Sequence, residues 1–256
     1  MTQPFIYAQQ PMEAVHRCNL CGGRVFWPAH GQDRYGYTVG VLECCSCGLT
    51  FLSPRMTAEA YSRFYSDGAY RKLLSKFYGR EITAETIEDE QVDYAQRLKK
   101  WLSGHVKNMQ WKSYLDIGGS TGVVAEILAA RFMLVPMIVE PAQAEAARAT
   151  KRGITTILGG IEDFDPGETR FGLITLCQSV DHLLDIAGTL GRVRGWLMPK
   201  AWFFVDFVEH GPIKIDHPYY LTKATMARYL ERAGFVVEAL EDAGDELHVN
   251  VLARPN

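Results

Sequence analysis

No stretch of the 256 residues approaches the roughly 20 consecutive apolar positions that a membrane-spanning helix needs. The N-terminal segment, Met1 to Arg17, lacks the basic, then apolar, then small-residue order of a secretory signal, so a soluble, cytoplasmic protein is expected. An excess of positive charge is missing too. Lys and Arg number 27 against 30 Asp and Glu, a net charge of -3, which leaves no global basic field to draw in nucleic acid or an anionic membrane. There is no internal repeat and no low-complexity segment, and nothing in the sequence speaks to oligomeric state. What remains is a chain of ordinary globular hydrophobicity, 47 %, long enough for one large α/β domain with a small appendage.

Cysteine is nearly absent beyond the N-terminal quarter. Five of the six lie within the first 47 residues, as Cys18-x-x-Cys21-Gly-Gly and Cys44-Cys45-x-Cys47-Gly. Two C-x-x-C turns about two dozen residues apart have the spacing of a tetrahedral zinc site with four thiolate ligands. Cys18, Cys21, Cys44 and Cys47 are the expected ligands, and Cys45 is the spare. Four protein ligands leave no open position, so the metal's role is structural. Disulfides are disfavoured where there is no secretory signal. Between the knuckles, Gly36 to Leu42 alternates enough for a short strand, which makes the module a zinc ribbon. Cys177 stands alone in an apolar run and reads as a core residue.

The most informative stretch is Tyr114-Leu-Asp116-Ile-Gly118-Gly119-Ser120-Thr-Gly122. It reads as a buried strand, a glycine turn and the opening of a helix from Val123 to Ala130. About two dozen residues beyond Asp116, Ile138-Val139-Glu140 reads as a second strand tipped by an acid. Strand, glycine turn, helix and an acid-tipped strand form half of a nucleotide-binding α/β domain, in which the acid can take both hydroxyls of a ribose. The dinucleotide fingerprint G-x-G-x-x-G does not fit, because its third glycine would fall at Val123; hydride transfer is disfavoured.

The rest of the chain divides in three: a ribbon over 1–55, a helical lead-in over 56–110 and an α/β domain over 111–256. In the second helix of the lead-in, Tyr94, Leu98, Trp101 and Leu102 fall on one stripe. Tyr61, Tyr65 and Tyr70 surround a turn at Ser66-Asp67-Gly68. Strands are expected at 113–117, 135–139, 154–158, 171–177, 201–208, 235–240 and 247–253. The last two are linked by Glu241 to Glu246, too short for a crossover helix, so they should pair antiparallel.

The glycine stretch resembles the first motif of class I S-adenosylmethionine-dependent methyltransferases: an aspartate, a hydrophobic residue, then Gly-x-Gly-x-Gly. Asp116, Gly118 and Gly122 match, while Ser120 replaces the middle glycine, a change that suits a negative φ and not a positive one. The resemblance implies that family's seven-stranded Rossmann-like sheet with its last strand antiparallel and helices on both faces. It implies that Asp116, Gly118, Gly119, Ser120 and Gly122 cradle the cofactor and that Glu140 binds its ribose. Ile161 would lie on the adenine, with Glu162 or Asp163 accepting from its amine. Gln178-Ser179-Val180-Asp181-His182 resembles the segment after the family's fourth strand, with aspartate in place of glutamate. Gln178 and His182 then fall at the carboxyl ends of the strands, where such sheets bind ligands.

The N-terminal knuckles, the Phe51-Leu-x-Pro54 that follows them and the tyrosine-rich lead-in resemble a narrower group, zinc-ribbon methyltransferases acting on nucleotide-bound sugars and related metabolites. That group carries a further C-terminal domain absent here. Its His-Glu-His run corresponds to Ile215-Asp216-His217, with the first histidine gone. The resemblance implies a small-molecule substrate, with His182 and His217 as candidate general bases, Asp216 as an orienting group and Tyr65 and Tyr70 as substrate contacts. His16, His30, His105, His210 and His248 have no supporting context. Two other readings stay open. An RNA methyltransferase would use Arg17, Arg24, Arg34 and Arg55 as a local basic patch. A non-catalytic zinc-ribbon binding protein would rest on a degenerate scaffold, with Ser120 as its support.

Overall fold

The computed structural model describes residues 5–209, 211–244 and 247–256. His210, the Asp245-Glu246 part of the final turn and the side chain of His30 lie outside the described residues.

The N-terminal region builds strands β1 (Met12–Glu13), β2 (Phe26–Gln32), β3 (Thr38–Cys44), β4 (Thr50–Leu52) and β5 (Arg55–Met56). Three helices follow: α1 (Ala58–Ser66), α2 (Ala69–Tyr78) and α3 (Glu88–His105). Thr57 caps α1 by accepting from Ala60 N. The stripe with Tyr94 and Trp101 falls on the third helix rather than the second, because Gly68 takes φ +69° and breaks residues 58–78 into two helices.

The α/β part then runs β6 (Ser113–Ile117), α4 (Val123–Phe132), β7 (Val135–Glu140), α5 (Gln143–Lys151), β8 (Thr155–Leu158) and β9 (Phe171–Leu176). It continues with α6 (Ile186–Trp196), β10 (Leu197–Val208), β11 (Tyr219–Tyr220), α7 (Lys223–Arg232), β12 (Phe235–Asp242) and β13 (His248–Pro255). The main sheet has seven strands in the order β12-β13-β10-β9-β6-β7-β8. The pairs from β8 to β10 are parallel, and β13 lies antiparallel between β10 and β12. The α/β fold with a seven-stranded sheet flanked by helices is therefore as expected. Strand β10 starts four residues earlier than its apolar run suggests, because Leu197 pairs with Phe171 before an irregularity shifts the register at Trp202.

The period-2 alternation of the central strands divides the core. Leu115, Ile117, Phe203, Val205 and Phe207 face α6 and α7, in a cluster that also takes in Cys18, Cys44 and Phe51 of the ribbon. Tyr114, Leu173 and Phe204 face the other way, against α3 and α4. Each such buried side chain contributes about 1.5–3 kcal/mol. The ribbon and the large domain thus share one apolar interior. They also share a sheet: β11, more than 160 residues downstream, joins β2, β3 and β4 as a fourth strand, in the order β11-β4-β3-β2.

Candidate functional site

A cavity of about 890 Å³ opens at the carboxyl ends of β6, β7 and β9 and is roofed by α1, α2 and α3. Its volume lies toward the upper end of the range for small-molecule sites. All of the expected cofactor residues except Gly122 line it: Asp116, Gly118, Gly119, Ser120, Glu140, Ile161, Glu162 and Gln178. Gly122 instead caps the start of α4 with φ +83°.

The turn after β6 needs its glycines for separate reasons. Gly118 has φ +71°, and a Cβ there would meet the Ser179 side chain at 2.9 Å. Gly119 permits close approach instead, since its Cβ would lie 2.9 Å from Ile138 Cγ2. Ser120 adopts φ +49°, the left-handed region the family's glycine would occupy without strain. Glu140 stabilises this conformation, its Oε2 accepting from Ser120 N and its Oε1 from Ala142 N, both at 2.8 Å. Burial raises the Glu140 carboxyl to about 7, against the lowering effect of those two amides.

Asp116 is fully buried at the end of β6. Its Oδ1 accepts from the Thr175 hydroxyl, while Oδ2 has no protein partner. Burial pushes it to about 7, with the nearby Glu140 adding to the rise. Ser120 Oγ is likewise buried and unpartnered. A glycine cradle with two orphaned oxygens and an acid at the neighbouring strand end fits the ribose and amino-acid parts of S-adenosylmethionine. The 161–163 turn forms a further wall, anchored by Arg192, which donates to the carbonyls of Ile161 and Glu162 at 2.9 Å.

The opposite wall holds His182, Tyr61, Tyr65 and Tyr70. His182, Asp216 and His217 come together, one nitrogen or oxygen atom of each side chain lying within 4.8 Å of the others. They are not equivalent: His182 lines the cavity, and Asp216 and His217 lie buried behind it. His182 Nδ1 is 2.9 Å from the backbone oxygen of Asp216 and 2.8 Å from Tyr65 Oη. A carbonyl only accepts, so Nδ1 carries the proton and Nε2 is left as the basic nitrogen. Asp216 thus meets the two histidines differently: its carbonyl accepts from His182 Nδ1, and its carboxylate Oδ2 lies 3.6 Å from His217 Nε2. Burial lowers both histidines, and for His217 the neighbouring His182 and Lys214 lower it further. Both are neutral near pH 7.

Sequence reasoning passed over three participants. Asp206, an acid inside the apolar run Phe203 to Val208, accepts from Gln178 N at 2.6 Å and Tyr94 Oη at 2.9 Å. It holds Gln178 at φ +49° on the cavity floor, and burial raises it to about 6. A lone acid in such a run is a readable signal. Arg71 and Glu145 meet across the cavity rim, a pairing no local pattern reveals. Cys177 packs against the core as expected but is only partly buried, and it also lines the cavity.

In the ribbon, Cys18 Sγ lies 3.5 Å from Cys47 Sγ, and Cys21 Sγ lies 3.5 Å from Cys44 Sγ. All four come within 4.8 Å of one another, and Gly23 N donates to Cys21 Sγ at 3.4 Å. Thiolates about 2.3 Å from a tetrahedral zinc would stand roughly 3.8 Å apart, so the set fits that metal. Of the four arginines of the expected basic patch, Arg17 and Arg24 are exposed, and the other two are engaged within the protein. Arg55 is largely buried, paired with Glu13 and donating to Tyr219 Oη, and Arg34 stacks over Phe77 at 4.2 Å. Among the described residues no helix is long and apolar enough to cross a membrane.

A family model described as a methyltransferase domain matches residues 87–240. No curated protein matches the chain. Among solved structures, the magnesium protoporphyrin IX methyltransferase ChlM of Synechocystis, with S-adenosylhomocysteine bound, aligns at a TM-score of 0.57 and 11 % identity over 77 % of this chain and 98 % of its own. Streptomyces venezuelae DesVI aligns at 0.53 and 16 % identity, over 69 % of this chain and 100 % of its own. The N,N-8-amino-8-demethyl-D-riboflavin dimethyltransferase RosA of Streptomyces davawensis aligns at 0.55 and 16 % identity, over 73 % of this chain and 59 % of its own. At these identities the likeness is one of fold. The family match spans more than half of the chain and contains the glycine turn, the acid-tipped strand and the cavity floor, and on that ground the chain belongs to the methyltransferase-domain family, as a class I S-adenosylmethionine-dependent methyltransferase.

Proposed function

We propose that this enzyme methylates a small, hydroxyl-rich metabolite, a nucleotide-linked sugar or a related natural-product or polysaccharide precursor, and that Cys18, Cys21, Cys44 and Cys47 hold a structural zinc. The observation that carries the reading is the roofed cavity, which joins the glycine turn at one wall to His182 and three tyrosines at the other. A roofed space of this size suits a cofactor and a small acceptor side by side, not a macromolecule. The inward-turned Arg34 and Arg55 weaken the RNA reading further, and the intact cradle weakens the non-catalytic one. The three-part division at 55 and 110 belongs to the same proposal: ribbon, substrate-side cap and catalytic domain.

Bound S-adenosylmethionine supplies a methyl group already activated on a sulfonium. The chain's own residues have two tasks. Glu140 would hold the ribose hydroxyls, the turn at 118–120 the amino-acid part, and Ile161 with Glu162 or Asp163 the adenine. The cap then brings the acceptor into line, and positioning of this kind is worth up to roughly 7–11 kcal/mol. His182 Nε2 takes the proton from an acceptor hydroxyl or carbon acid, an effect of roughly 10²–10⁴-fold.

The test is calorimetric titration with S-adenosylhomocysteine. Wild type should bind, and Glu140→Ala should weaken binding about 100-fold, the loss of two charge-assisted hydrogen bonds of about 1.5–3 kcal/mol each, less what water restores. Equal affinity in the two proteins would sink the cofactor assignment. Labelled S-adenosylmethionine incubated with nucleotide-sugar pools and, separately, with RNA then finds the acceptor.

A further inference from the structure

We propose that the zinc ribbon is a positioning element for the catalytic wall: it holds segment 213–220, and through it the tautomer and orientation of His182. This rests on the zinc reading above, and it assigns the ribbon a part in the active site beyond folding.

The connections run in sequence. Cys44 ends β3, and its N–H donates to Leu49 O at 2.9 Å, so the second knuckle sets the start of β4 directly. Strand β4 pairs with β11, Phe51 opposite Tyr219 and Thr50 opposite Tyr220, and Leu52 N donates to Pro218 O at 2.9 Å. The other end of the segment is held by the β2–β3 turn, where Arg34 N donates to Ile213 O at 2.8 Å and Asp33 Oδ2 accepts from Ile215 N at 3.1 Å. Between these clamps lies Asp216, whose backbone oxygen accepts a hydrogen bond from His182 Nδ1. Segment 213–220 has no strand partner in the seven-stranded sheet. Beyond the segment itself, its backbone hydrogen bonds go to the ribbon, to Tyr61 and Tyr65 of the cap and to His182, so loss of the knuckles removes the strand pairing that fixes the segment carrying the Asp216 carbonyl.

The cofactor side is built differently. Glu140, Asp116 and Ser120 hang on β6, β7 and the turn between β6 and α4, which the ribbon does not pair with. Loss of the metal should therefore separate the two walls: the cofactor cradle survives and His182 is released.

The experiment uses the full-length, zinc-loaded protein labelled with ¹⁵N-histidine, with His182 assigned from a His182→Gln variant. Long-range ¹H–¹⁵N spectra should show His182 as the neutral, Nδ1-protonated form. After the metal is stripped with a chelator, the His182 signals should move to the averaged shifts of a free imidazole, while the S-adenosylhomocysteine Kd changes less than about threefold. Unmoved His182 signals in the stripped protein would overturn the proposal, as would parallel loss of cofactor binding. In case stripping unfolds the chain, Asp33→Asn offers a second route. It keeps an acceptor for Tyr35 N and Tyr37 N but turns an NH₂ toward Ile215 N. With its zinc retained it should shift His182 and leave cofactor affinity alone, and an unchanged His182 signal there also counts against the proposal. Failure of the zinc-loaded wild type to bind S-adenosylhomocysteine would count against the cofactor assignment instead, and the His182 shift would still decide this one.

Discussion

Arg71 Nε on α2 lies 2.7 Å from Glu145 Oε1 on α5, an ion pair that ties the two helices together across the rim of the cavity. The Glu145 side chain is 4 % exposed and Arg71 25 %, so the carboxylate depends on its partner. Removing one member of a buried pair costs about 3–5 kcal/mol, whereas replacing both costs far less. Arg71→Met should therefore lower the melting temperature by several degrees, and the double variant Arg71→Met/Glu145→Gln should recover most of the loss. Thermal denaturation of the three proteins checks this. An equal loss in the single and double variants would show that Glu145 does not depend on the pair.

Ser120 at φ +49° carries strain of about 1–2 kcal/mol that glycine would not. Ser120→Gly should raise the melting temperature by roughly 2–8 °C and leave S-adenosylhomocysteine affinity within about threefold. A tenfold loss of affinity would instead assign the unpartnered Ser120 Oγ to the ligand.

Asp116 is raised from 3.8 to about 7 by burial, so the folded protein binds its proton more tightly than the unfolded chain does. Its contribution to stability is fully present below pH 4 and is lost as pH rises through about 7. Relative to Asp116→Asn, the wild type without cofactor should lose stability between pH 5 and pH 8. Urea unfolding at the two pH values measures the difference, and parallel pH dependences would refute the assignment.

Cys44→Ser removes one thiolate from the proposed site and, with the metal, the restraint on the knuckle that leads into β4. The variant should lose its zinc, read by a colorimetric chelator, and should become sensitive to proteolysis around 45–56. Full zinc content in Cys44→Ser would mean that Cys45 can substitute for it.

The seven strands of the main sheet were legible because each carries its own signal, an apolar run between turn residues. Even the antiparallel end of the sheet followed from a linker too short for a helix. The glycine turn and its facing acid were readable for a related reason: Asp116, the glycines and Glu140 lie on adjacent strands joined by one crossover, and their spacing along the chain encodes their spacing in space. Asp206 carried a signal too, as a lone acid in an apolar strand, but its partners Gln178 and Tyr94 lie far from it in sequence.

By itself the sequence determined the elements, the order in which they are wound and the residues that meet across a single βαβ unit, because these depend on local periodicity and on the short reach of a turn. Only the tertiary structure decided that β11 completes the ribbon's sheet, that Asp216 serves His182 through its carbonyl, and that Arg71 closes on Glu145. Those contacts join segments more than 30 residues apart in chain order, and more than 160 in the case of β4 and β11. No periodicity spans such separations; shared burial and the need to satisfy every buried backbone group determine which segments meet.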